Sequence, residues 1–119
     1  MNGEATPIVA VALYLIAALA GAVGQYLYKL GAAQVDLGRP VSLITNPWIV
    51  AGIGCYLAVM LLFVAGLRRG GQLTVLYPVY ATTFIWSAAI GTLVLGEPLT
   101  GFRAVGTALI ILGVFFVVR

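Results

Sequence analysis

Lys29, Glu97 and Arg103 are the residues of this 119-residue chain whose types and places could do chemistry. Each stands at the edge of a long apolar window, and the alternation of those windows brings all three to one face of a membrane. Two cations around one carboxylate make either a structural ion-pair network or, through the excess positive charge, a seat for a lipid phosphate. Tyr14, Ala18, Gly21, Gln25 and Lys29 recur at steps of three or four residues and so share one side of a helix. Gln25 is the strongly polar residue inside that run. Either a polar groove starts there, or Gln25 bonds a neighbouring helix while Lys29 snorkels into headgroups. Tyr80, Thr83, Ser87 and Gly91 form a second, mildly polar stripe, able to face the same interior or to permit close helix contact.

Other chemistries have little to work with. The chain has no His, and its carboxylates Glu4, Asp36 and Glu97 are too far apart for a recognisable metal-ligand motif, so neither a metal nor a cofactor is expected. Cys55 is the single cysteine, which excludes an intrachain disulfide and predicts a small hydrophobe in mid-span. With no nucleophile or acid–base pair in view, the expectation is a protein that is not an enzyme.

The elements that must position these groups are membrane spans. Residues 5–28, 40–67, 70–96 and 104–118 carry no Asp, Glu, Lys or Arg, and a helix needs about 20 apolar residues to cross a hydrocarbon core. With 63% hydrophobic and 8% charged residues, a water-soluble chain of this size would expose large apolar patches. The fold class expected is all-α: a single domain over residues 1–119, a dimeric four-helix transmembrane bundle with helices at 7–29, 47–67, 74–95 and 101–118.

Pro7 suits a first helical position, and Asn46-Pro47-Trp48 supplies an N-cap, an N1 proline and an interfacial indole in series. Arg68-Arg69-Gly70-Gly71 stops the second helix, Pro78 is expected to kink the third, and Thr100 to cap the fourth. That last helix has fifteen residues between its end arginines, roughly 22 Å at about 1.5 Å per residue, so those arginines snorkel or the chain has been trimmed. Ala18-Leu19-Ala20 resembles a signal-peptidase site, but no Lys or Arg precedes it and the apolar run continues, so cleavage is not expected.

Arg68, Arg69 and Arg119 fall on one face of the membrane and Lys29, Arg39 and Arg103 on the other, a balance that withholds the usual orienting signal and allows insertion both ways. The net charge of +3 is thus scattered over helix ends, and no nucleic-acid partner is expected. Gly106 and Gly113 lie on one side of the last helix and permit close approach of another, as a dimer interface or in packing against the third span.

Longer motifs carry a resemblance. Leu76-Tyr77-Pro78-Val79-Tyr80, then Gly96-Glu97-Pro98-Leu99-Thr100, then the run from Gly106 to Gly113-Val114 resemble the drug/metabolite transporter superfamily, across all four spans. The four-helix size and the Gly-x6-Gly-Val pattern look like its small multidrug resistance branch, whose members pair through helix 4. That branch couples to protons through a helix-1 glutamate. Three residues before Gly24-Gln25-Tyr26-Leu27-Tyr28-Lys29 stands Gly21 instead, and no span contains an acid, which disfavours proton-driven export of cationic drugs.

The helix-1 segment with Tyr77-Pro78 and Glu97-Pro98 looks more like the small flippase subunits that move undecaprenyl-phosphate-linked aminoarabinose across the bacterial inner membrane. The resemblance implies a membrane lipid partner linked to polyprenyl phosphate, and a homodimer or a heterodimer with a similar subunit. It also implies phosphate contacts from Lys29 and Arg103, head-group hydrogen bonds from Gln25, Tyr77 and Tyr80, and a hinge at Pro78. A multidrug exporter and a noncatalytic subunit that stabilises a partner remain the alternatives.

Overall fold

The computed structural model describes residues 7–119, so Glu4 and the start of the first window lie outside it. The described residues are all-helical: α1 (Ile8–Ala32), α2 (Val41–Thr45), α3 (Pro47–Arg68), α4 (Leu73–Tyr80), α5 (Thr83–Leu93) and α6 (Gly101–Val118). Four helices, with α4 and α5 together forming one of them, are long and apolar enough to cross a membrane. The expected spans stand within a few residues. α1 runs one turn past Lys29, and the short α2 in the connector between the first two spans was not foreseen.

Capping chemistry sets the boundaries. Asn46 Oδ1 accepts hydrogen bonds from the Trp48 and Ile49 amides at 3.0 and 3.1 Å, while its Nδ2 donates to Gln34 Oε1 at 3.0 Å and ties the connector to the helix start. Thr100 Oγ1 accepts from the Arg103 amide at 3.2 Å and opens α6. Gly70, with φ +92°, turns the chain after α3 through a left-handed conformation that a side chain disfavours.

The interruption of the third span is not at the proline. Helix continues through Pro78, and the break falls at Ala81 and Thr82, after α4. There the Ala81 and Thr82 amides bond carbonyls three residues back, and the Thr82 hydroxyl takes the Val79 carbonyl at 2.9 Å. A hydroxyl satisfying a backbone carbonyl is how a span tolerates a discontinuity where water is absent. The consequence is two half-helices that need not share a direction.

α1 is the spine, packed along α3 on one side and against α4 and α5 on the other. Its seam with α3 is made of small residues: a Cβ placed on Gly52 would stand 2.6 Å from the Tyr28 ring, and one on Gly24 would stand 2.8 Å from the Tyr56 ring. Cys55 lies in this seam, half-buried beside Gly24, as a small hydrophobe would. The core sits near one end of the bundle, where Ala10, Tyr14, Leu76 and Val79 are buried and Phe63 and Val114 pack on them. Tyr14 stacks on Phe63 at 4.5 Å between ring centroids, and Phe63 meets Tyr80 edge-on at 4.9 Å. α6 leans on α4 there and parts from α5 towards the other end. The bundle is closed at one end and split at the other.

Candidate functional site: an open polar cleft between the first and third spans

The helix-1 stripe changes character along its length. Tyr14, Ala18 and Gly21 are buried in the closed half, whereas Gln25 and Lys29 stand open in the split half. They line a cleft of about 210 Å³ between α1 and α5, with Ser87, Gly91 and Glu97 on the opposite wall. Ser87 and Gly91 of the second stripe therefore face the same space as Gln25. Tyr80 and Thr83 do not; they line a different cleft, nearer α4.

Lys29 Nζ pairs with Glu97 Oε2, the ion pair found among the described residues. Its side chains remain 57% and 45% exposed, so in water the pair would contribute at most about 1 kcal/mol. Glu97 reaches Lys29 because the chain after α5 folds back on itself. Gly96 takes φ +71°, and the Glu97 amide then donates to the Gly91 carbonyl at 2.8 Å, closing the helix end with a six-residue loop.

Arg103 lies across the loop in a second cleft, about 430 Å³ between α5 and α6, which Ser87 and Glu97 also line. Its guanidinium donates to the Pro98 carbonyl at 2.7 Å. The three charged groups thus gather at one end of the bundle as the window alternation requires, with Glu97 on both clefts and one cation in each.

Tyr77, Pro78 and Tyr80 form a separate, mostly apolar cleft of about 390 Å³ with Thr83 and Phe84. Tyr77 and Tyr80 stack at 6.3 Å, and the Tyr80 hydroxyl rests against Gly21, where any larger side chain would meet it. These residues are half a span from Lys29. A polar link joins the two regions: the Tyr56 hydroxyl donates to the Gly21 carbonyl at 3.3 Å and accepts from Gln25 Nε2 at 2.7 Å. Tyr56 was missed in the sequence. Nothing in its local pattern marks it, although Tyr28, which stacks on it at 5.4 Å, lies on the quoted helix-1 segment.

Gly106 and Gly113 have open space where a Cβ would be, and no residue of α6 is buried. No protein family model, curated protein or solved structure matches the chain. The class that the fold defines is therefore a multi-pass helical membrane protein with polar clefts at one end of the bundle.

Proposed function

We propose that the protein is a carrier of the small four-helix branch of the drug/metabolite transporter superfamily, moving a polyprenyl-phosphate-linked sugar or a related lipid across the bacterial inner membrane. The observation that carries this reading is the open cleft between α1 and α5, with Lys29 and Gln25 on one wall and Ser87 on the other. A phosphate needs a cation and hydrogen-bond donors, and the sugar beyond it needs neutral polar groups. Lys29 supplies the first contact, Gln25 and Ser87 the others, and Arg103 a second cation as the head passes beneath α5. The cleft of Tyr77, Pro78, Tyr80 and Phe84 suits the isoprenoid chain better than the head group, since most of its wall is apolar. The half-helices on either side of Ala81 and Thr82 give the third span a discontinuity of the kind found in carriers, here beside the apolar cleft and not the charged one.

Native mass spectrometry of the protein extracted with its lipids tests this reading. A co-purifying polyprenyl phosphate is the expected result. A bound amphipathic cation would turn the assignment to multidrug export, and a partner at fixed stoichiometry with no lipid bound would turn it to a stabilising subunit.

Pairing with a second copy or a similar subunit through α6 belongs to the same reading. Its support is a helix with no buried residue and two glycines, Gly106 and Gly113, whose open sides would let another backbone approach. Gly106→Leu with Gly113→Leu should convert dimers to monomers in mild detergent, read by size-exclusion chromatography with light scattering. An unchanged cross-linked dimer band would count against this interface.

A further inference from the structure

The cation best placed for a phosphate is already occupied. Lys29 Nζ is held by Glu97, and the carboxylate is not there by accident of a flexible loop. Gly96 turns the chain back, the Glu97 amide caps the Gly91 carbonyl, and Glu97 Oε1 then lies where a side chain on residue 91 would be. A Cβ on Gly91 would stand 2.6 Å from that oxygen, and apart from the Glu97 carboxyl carbon at 3.5 Å nothing else crowds it. Gly91 is thus a seat made by the absence of a side chain, and Glu97 is the group seated in it.

We propose that Glu97 is a built-in stand-in for the ligand's anion: its carboxylate occupies Lys29 in the open α1–α5 cleft, and a phosphate ester takes the cation by displacing it. The inference rests on the reading of Lys29 as the phosphate contact. Three features favour displacement over a permanent pair. The pair is about half exposed, so it is worth no more than about a fivefold preference, and a phosphate ester that also takes hydrogen bonds from Gln25 and Ser87 can outcompete it. Glu97 also lines the second cleft, where Arg103 offers a cation for the displaced carboxylate. The carboxylate hangs on a loop between two helices that touch little, so it can swing without unpacking the core. A ligand with no anion, or with a hydroxyl in place of the phosphate, gains nothing from Lys29 in this arrangement and leaves the latch shut.

The test measures binding of dodecyl phosphate, and separately of inorganic phosphate, to the full chain in dodecylmaltoside by isothermal titration calorimetry. Glu97→Gln removes the competing charge, and Gly91→Ala crowds the carboxylate's Oε1 out of its seat while changing no charge. Glu97→Gln is expected to bind dodecyl phosphate about fivefold more tightly than the unaltered protein, and Gly91→Ala more tightly by up to the same factor. Lys29→Ala should bind it at least tenfold more weakly, and Lys29→Ala with Glu97→Gln should recover nothing.

Unchanged or weaker binding by Glu97→Gln and Gly91→Ala, with Lys29→Ala still defective, overturns the latch and leaves the phosphate contact standing. Undiminished binding by Lys29→Ala overturns both. Tightening confined to dodecyl phosphate assigns a lipid as the source of the anion; the same tightening with inorganic phosphate keeps the latch and overturns the lipid source.

Discussion

Lys29→Ala is expected to abolish translocation of a lipid-linked sugar in membrane vesicles while leaving the protein's abundance near normal. The cation stands open in the cleft, and a hydrogen bond from a charged group contributes about 1.5–3 kcal/mol, so its loss should weaken engagement of the phosphate about tenfold to a hundredfold. Folding should suffer little, because the pair that Lys29 makes with Glu97 is about half exposed. Lys29→Arg should retain part of the activity, since charge is kept although the flat guanidinium fork differs from a compact ammonium. The discriminating variant is Lys29→Ala with Glu97→Ala. If the pair were only architecture, the single variant would be poorly expressed and the double variant would regain both abundance and transport. Continued loss of transport in the double variant is the outcome that a phosphate contact requires.

Gly52→Leu should cost the bundle about 2–3 kcal/mol, measured by unfolding the purified protein in mixed micelles of increasing sodium dodecyl sulfate and following helicity. Overpacking a tight contact commonly costs about 1–3 kcal/mol when neighbouring side chains can shift. At Gly52 the upper end is expected, because a Cβ would meet the Tyr28 ring at 2.6 Å and the Gly24 carbonyl at 3.1 Å, and a helix backbone cannot step aside. Gly54 is the control. It lies on the same helix two residues on with nothing within 4 Å of a built Cβ, so Gly54→Leu should stay within about 0.5 kcal/mol. Equal effects at the two positions would mean that the seam between α1 and α3 does not limit stability.

The contrast between these two glycines marks what a sequence in a bilayer reveals. Spans and their ends were legible because hydrocarbon imposes a length and because Asn46, Pro47 and Thr100 satisfy specific unpaired amides or occupy specific positions. The meeting of Lys29 with Glu97 was legible too, since the alternation of spans leaves charged residues only one end to share. Which glycine faces a neighbour was not, because apolar residues surround every helix here and periodicity no longer separates inside from outside. The same loss of contrast hid Tyr56, whose partners Gly21 and Gln25 sit more than thirty positions away in sequence.

The third span carries a break that the sequence does not announce. Pro78 is the visible helix breaker, but it is a residue inside α4 and the helix passes through it to Tyr80. The actual break depends on a threonine hydroxyl bonding a carbonyl, which composition does not announce. Tyr77 and Tyr80 line a cleft apart from that of Lys29, although the resemblance placed all three around one head group.

The unequal packing of the four spans also sets a hierarchy of opening. α1, gripped by α3 on one flank and by α4 and α5 on the other, can leave the bundle only when much of the protein comes apart. α6 has no buried residue and needs no such event. Its detachment from α4 is a local fluctuation that the lipid tolerates, because an apolar helix surrounded by acyl chains is still properly solvated. The least and most readily detached spans are therefore expected at opposite ends of the chain, with α5 between them and looser than α4. Any ligand that bridges α1 and α5 would hold α5 in the bundle long before it changed the spine.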